Sequence, residues 1–193
     1  MQKIRCPWCE SSPRMITYHD TEWGTPVHDD RLHFEFLCLE ALQAGLSWAV
    51  VLNKRENLHA AFHGFDPQRV AAIQTEEIDR MLTNPGIIRN RAKLQAIVHN
   101  ANLFLELQAR HGTFNHYFWS FSNGSPINNQ WTDQSQIPPT SPLSDIISRE
   151  FKQTGFKFLG STTIYAHIQA VGMVNDHLLS CFRYPEILSI QAE

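Results

Sequence analysis

Apolar residues recur at helical spacing along most of this chain. The densest stretch runs from Leu32 to Trp48 and predicts a helix of about three turns that stops at Gly45, where a left-handed backbone is tolerated. Ser47 is placed to cap a second helix that reaches about His63, with Val51, Leu52, Leu58 and Phe62 among its apolar positions. Asp66-Pro67 opens a short helix through Ile73, and Thr75 opens another with Ile78, Met81 and Leu82 on its inner face. After the tight turn Asn84-Pro85-Gly86-Ile87-Ile88, the register of Leu94, Ile97, Val98, Ala101 and Leu105 predicts a long helix from near Arg89 to about Arg110. Phe114 to Phe121, Pro142 to Thr154 and Ser161 to about Gly172 read as further helices, and Val174 to Cys181 adds a turn or two. Ser125 to Ser141 reads as a long surface loop, Phe156 to Leu159 is the one short strand candidate, and the first thirty residues are too punctuated for regular structure. The pattern predicts an all-α fold.

One residue breaks the pattern. From Phe36 to Leu42 every neighbour of Glu40 is apolar, and its helical neighbours three and four positions away are Phe36, Leu37, Gln43 and Ala44. An ionised carboxyl buried there without partners costs several kcal/mol, so Glu40 is neutral, paired, or held for a ligand that supplies donors. Trp8, Tyr18, Trp23 and Trp48 bracket it in the sequence. Aromatic residues are usually core, but stacking faces around one carboxylate also suit a flat base with donors on its edge.

At 193 residues, 42% hydrophobic and 18% charged, the chain is long and apolar enough for one ordered domain over 1–193, with a helical core at about 30–172. No apolar run approaches membrane-spanning length, and Met1 to Arg5 lacks the apolar centre of a signal peptide, so a cytoplasmic protein without membrane attachment is expected. In that compartment four cysteines are thiols or metal ligands rather than disulfides. The net charge of −3 gives no general attraction to nucleic acid, which would have to rest on a local basic surface.

Two motifs carry chemistry. Leu82 to Leu94 has the shape of a helix-hairpin-helix: a turn centred on Gly86 with Ile87 and Ile88 as its pin, followed by Arg89, Arg91 and Lys93. Such a turn aims backbone N–H groups at a phosphate; the competing reading is that Pro-Gly simply joins two helices and the cations are a solvated face. The second motif is His177-x-x-x-Cys181, one face of the helix expected there, which with Cys6 and His19 makes a Cys2His2 set for tetrahedral zinc. Such a closed site is structural, one zinc per chain, and staples a layer made of 1–26 and 173–184. His177 and Cys181 also read as ordinary core residues, and Cys6-x-x-Cys9 is itself a ligand spacing in which Cys9 replaces His19.

These strings resemble the bacterial 3-methyladenine DNA glycosylase I family over nearly the whole chain. The resemblance rests on Cys6-x-Trp8, Tyr18-His19-Asp20-x-Glu22-Trp23-Gly24, Glu40-x-x-x-Ala44-Gly45-Leu46-Ser47-Trp48, Lys54-Arg55-Glu56-Asn57, Gly86-Ile87-Ile88-Arg89, Gly155-Phe156-Lys157-Phe158 and Val174-Asn175-Asp176-His177. It implies a helix-hairpin-helix glycosylase fold and zinc held by Cys6, His19, His177 and Cys181, with Cys9 outside the set. It also implies a base pocket of Tyr18, Glu40 and Trp48 walled by Trp8 and Trp23, with Glu40 in the catalytic role. Gly45 and Leu46 would fill the gap left by the extruded nucleotide, while Gly86, Ile87, Ile88, Arg89, Arg91 and Lys93 would grip DNA. The usual catalytic Asp of the wider superfamily is missing, since Glu106 is the only acid between Ile87 and Asn123. The implied activity is monofunctional: hydrolytic release of 3-methyladenine from alkylated double-stranded DNA by a monomer, leaving an abasic site. Two other classes compete: a non-enzymatic DNA-structure binder using the hairpin alone, and a zinc hydrolase with an open coordination position.

Overall fold

The computed structural model describes residues 3–191. Ten α-helices run through them: α1 (Pro13–Thr21), α2 (Asp30–Gln43), α3 (Trp48–Ala61), α4 (Pro67–Ala71), α5 (Thr75–Thr83), α6 (Arg91–His111), α7 (Phe114–Ser120), α8 (Pro142–Thr154), α9 (Ser161–Ala170) and α10 (Arg183–Ile190). The core forms around α2, which is buried on every side from His33 to Leu42 and packs against α3, α6, α7 and α9. Asp29 caps its start by accepting from Leu32 N at 2.9 Å, and Asp30 accepts from the backbone of Phe114 and Asn115, pinning α7 to it. Its end is set by Gly45, at φ +77°.

The start of the chain is more regular than its punctuation suggests. Pro13 occupies the first position of α1 and the Ser12 hydroxyl accepts from Met15 N at 3.3 Å. Inward packing of Met15, Tyr18 and His19 then holds the helix. Punctuation here marks a helix start rather than a loop.

Three further expectations are corrected. Asn90 caps α6 by accepting from Lys93 N, so that helix begins at Arg91, two residues later than the register suggested. Phe156 to Leu159 is not a strand. The strand pair is instead β1 (Ile127–Asn128) against β2 (Val174–Asn175), parallel, joining the 125–141 segment to the C-terminal region. Because Val174 and Asn175 spend their backbone on that pairing, the stretch to Cys181 is turns rather than helix. Residues 3–27 lie against 169–184: Phe182 N donates to Ile4 O, Val27 N to Val171 O and Gly24 N to Gln169 O, at 3.0–3.1 Å. Among the described residues no helix is long and apolar enough to cross a membrane.

Candidate active site

Glu40 sits in the last turn of α2, 4% exposed, on the wall of a cavity of about 290 Å³. Tyr18 from α1 and Trp48 from the start of α3 pack against each other in the cavity wall, their ring centroids 5.2 Å apart and tilted by 46°. Trp8 and Trp23 meet edge to face at 5.0 Å and complete the aromatic wall. The five pocket residues expected from the sequence therefore come together. Among the described residues Glu40 Oε2 and Trp48 Nε1 are buried without hydrogen-bond partners. Burial pushes the Glu40 carboxyl up to about 8, so it is largely protonated in the empty pocket at neutral pH. Burial, with Glu40 nearby, likewise keeps the Tyr18 phenol protonated.

Other lining residues were not singled out from the sequence: Gln43, Gln134, Ile137, Ala166 and Gln169. Gln43 carried a signal, since it lies three positions from Glu40 on one helix face. Gln169 and the segment carrying Gln134 and Ile137 are held by the buried Asp176, part of the Val174-Asn175-Asp176-His177 string but given no role by the sequence alone. Asp176 accepts from Tyr165 Oη at 2.6 Å and Gln169 Nε2 at 2.8 Å on one side. On the other it accepts from Asn129 Nδ2 at 2.6 Å and Trp131 Nε1 at 2.7 Å. These bonds fasten the 125–141 segment to α9 and put Gln134 and Ile137 over the pocket. Behind Tyr18, Arg55 of α3 bridges Glu22 at 2.6 Å and Glu35 at 2.7 Å.

On the far side of the aromatic wall, the donor atoms of Cys6, His19, His177 and Cys181 all lie within 4.8 Å of one another, and all four residues are buried. Cys6 Sγ to His177 Nδ1 is 3.7 Å, Cys181 Sγ to His177 Nδ1 3.6 Å and Cys181 Sγ to His19 Nε2 3.5 Å. A tetrahedron with zinc–ligand bonds of about 2.0–2.3 Å has edges of about 3.6 Å. The outer imidazole nitrogens are also supported, His19 Nδ1 by Asp20 at 2.8 Å and His177 Nε2 by the Trp23 carbonyl at 3.0 Å. The donor set thus fits the metal. Cys9 stands apart, its thiol donating to Cys6 O at 3.1 Å. Cys181, facing the Cys6 thiol and both imidazoles, is drawn toward thiolate, whereas its neighbour Cys6 is held protonated.

The turn between α5 and α6 is braced from two sides. Gly86 N donates to Asn84 Oδ1 at 2.8 Å, and a Cβ at Gly86 would come within 3.0 Å of Asn57. Lys54 of α3 donates to Pro85 O at 2.7 Å. Ile87 and Ile88 are buried, Arg89 is exposed, and Arg91 is exposed but paired with Asp79. Lys93 departs from its expected place on the DNA-gripping surface. It is 6% exposed and its ammonium donates to the carbonyls of Leu42 and Ala44, the end of α2. Orphan carbonyls at a helix end attract such a donor more strongly than solvent does, so Lys93 grips the protein rather than a phosphate. Leu46 is 40% exposed. Together with Gly45, Glu40, Thr162 and Thr163 it lines a second cavity of about 230 Å³.

These features define a class: a helical protein with an aromatic pocket around a buried carboxyl and, between α5 and α6, a braced turn bearing exposed arginines. The chain belongs to the methyladenine glycosylase family, whose family model matches residues 8–184. It is 48% identical over 181 residues to DNA-3-methyladenine glycosylase 1 of Escherichia coli K12, covering 94% of this chain and 97% of that protein. A crystal structure of 3-methyladenine DNA glycosylase I superposes with a TM-score of 0.92 at 48% identity, covering 94% of this chain and all of that one. The Staphylococcus aureus 3-methyladenine DNA glycosylase I, studied for its recognition of 3-methyladenine, gives a TM-score of 0.90 at 36% identity, with 94% and 96% covered.

Proposed function

We propose that this protein is a monofunctional DNA-3-methyladenine glycosylase of base-excision repair. It flips the damaged nucleotide into the aromatic pocket, releases the base hydrolytically and leaves an abasic site. The observation that carries the reading is Glu40, a buried carboxyl without a partner, set among tryptophan and tyrosine rings in a chain of this family. Methylation at N3 makes the nucleotide's adenine a cation and a good leaving group. The glycosidic electron pair departs with the base and neutralises it, and water bonds to C1′ and loses a proton. A strong general acid is not required, which agrees with the absence of an acid at the superfamily's usual position.

What the site supplies is selective binding. The faces of Tyr18 and Trp48 favour a cationic ring over neutral adenine. Glu40 accepts from the amino edge, and pairing with the cation draws its proton off, so its charge appears only when the correct base is present. Trp8 and Trp23 close the wall, with Gln43 and Gln169 as further hydrogen-bonding groups. Gly45 and Leu46 fill the gap in the duplex, while the 84–91 turn, read as a helix-hairpin-helix, holds backbone phosphates through Gly86, Ile87, Ile88, Arg89 and Arg91. One structural zinc is held by Cys6, His19, His177 and Cys181. Four buried protein donors leave no position for a metal-bound nucleophile, which disfavours zinc hydrolase chemistry. We take the chain as one domain acting as a monomer on double-stranded DNA in the cytoplasm.

The test is chromatographic assay of free 3-methyladenine released from methylated duplex DNA by the parent and by Glu40→Ala. Release by the parent and its loss, by about a hundredfold or more, in a folded variant is the expected result. No release by the zinc-loaded parent would remove the enzymatic reading and leave a DNA-structure binder.

A further inference from the structure

The Gly155-Phe156-Lys157-Phe158 string has no role in the pocket, the metal cluster or the 84–91 turn, yet its backbone is held at unusual cost. After Gly155 closes α8, Phe156 stacks on Phe151 at 4.6 Å and Leu159 is buried, but Phe158 between them stands 40% exposed at φ +61°. Among the described residues three other non-glycine residues share a positive φ: Phe65 is fully buried, while His63 and Asn123 belong to types that tolerate this region. Among the described residues Phe158 alone combines the strain with an outward bulky ring. The loop is not free to relax. Asn100 of α6, itself buried, donates from Nδ2 to Lys157 O and accepts at Oδ1 from Lys157 N, both at 2.9 Å, and Ser148 Oγ donates to Leu159 O at 3.1 Å. Strain maintained by such over-determination is a mark of function.

Its position gives the function. Asn100 lies seven residues beyond Lys93, hence on the same face of α6 and about 10 Å further along. That one face therefore holds the carbonyl of Ala44 beneath the Gly45-Leu46 turn and, two turns on, the Lys157-Phe158 backbone. The loop then runs through Gly160 into Thr162 and Thr163, which share a cavity with Leu46. We propose that Lys157 and Phe158 make a second DNA contact: the ring stacks against a base or sugar about three steps from the flipped nucleotide, and the Lys157 ammonium meets a phosphate. Charge agrees, because a chain of net charge −3 needs local exposed cations to hold a polyanion, and Lys157 is exposed. This contact rests on the glycosylase reading.

The test uses the full chain with Phe158→Gly and Lys157→Ala. Duplex binding is read by anisotropy on an oligonucleotide carrying a stable abasic analogue, over a salt series. Free 3-methyladenine binding is read by tryptophan fluorescence, and folding by thermal melting. Glycine relieves the positive φ, so Phe158→Gly is expected to melt at or above the parent's temperature and to bind free base like the parent. It is expected to bind the duplex roughly tenfold more weakly. Lys157→Ala is expected to reduce the slope of log affinity against log salt by about one. Parent-like duplex binding by Phe158→Gly overturns the contact, as does an equal loss of duplex and free-base binding. A parent that neither releases nor binds 3-methyladenine would instead sink the glycosylase reading, and this contact with it.

Discussion

On the proposed function Glu40 exchanges stability for selectivity, and its buried carboxyl makes the cost pH-dependent. Its folded pKa, about 8, is raised above the ordinary 4.5 by burial, so the stability it contributes is present below about pH 4.5 and is lost as pH rises toward 8. At 1.36 kcal/mol per unit, the loss by pH 7 is about 3 kcal/mol. Glu40→Gln keeps the shape without the charge, and is expected to melt higher than the parent at pH 7–8 and alike at pH 4, while binding the cationic base poorly. Urea melts of the two across that range check this, and parallel curves would mean that Glu40 is already paired. His33 acts with the opposite sign. It is fully buried beside His167 between Phe114 and Phe118, and among the described residues neither imidazole has a hydrogen-bond partner. Burial pulls His33 down to about 4 and His167 well below its ordinary value. The unfolded chain binds their protons first, so stability falls as pH drops from about 6.5, by about 3 kcal/mol for His33 alone on reaching pH 4. In His33→Leu that part of the acid slope should vanish, whatever the variant's stability at pH 7.

At the scale of elements, the helices were legible because most carry their own punctuation. Asp66-Pro67, Ser141-Pro142 and Gly155 stand at observed helix ends, and Ile78, Met81, Leu94, Ile97 and Ala101 face the core as expected, whereas Phe104 and Leu107, not Leu105, carry that face to the end of α6. What the pattern missed depends on partners distant in sequence. The β1–β2 pair joins residues 47 apart, and Asp176 recruits Trp131, Asn129 and Gln169 through contacts no local spacing encodes. The pocket residues were readable as an anomaly around Glu40, whereas Lys93 was misread because a lysine in a basic cluster looks solvated until its burial is known. That burial makes a prediction about the element it serves. Lys93→Met leaves the carbonyls of Leu42 and Ala44 without their donor. It is expected to cost about 2 kcal/mol and to loosen the Gly45-Leu46 turn. Turnover on duplex DNA should then fall about tenfold or more while free 3-methyladenine binding stays within about twofold. Equal losses in both would show that Lys93 supports only the pocket.

Across the whole molecule, the Cys6-His19-His177-Cys181 cluster and the Glu40 pocket are two sides of one aromatic wall. Trp23 packs edge-on against His177 at 4.6 Å and Trp8 against His19 at 5.4 Å, and the Trp23 carbonyl faces His177 Nε2. Both rings also line the cavity that holds Glu40. A metal that fixed the two imidazoles would therefore fix the wall and tie the 171–184 segment to a pocket it does not itself line. Without metal, the backbone bonds from Phe182 to Ile4 and from Val27 to Val171 still hold the ends near each other, and the core around α2 is untouched. Loss should therefore come in stages rather than as collapse. With strong chelator the protein is expected to lose one zinc per chain, to bind 3-methyladenine at least tenfold more weakly at 20 °C while still helical by circular dichroism, and to melt about 10 °C lower. Restoring zinc should recover all three. Chelation that removes the zinc yet leaves base affinity and melting temperature unchanged would mean that the wall stands on its own packing and that the cluster serves some other end.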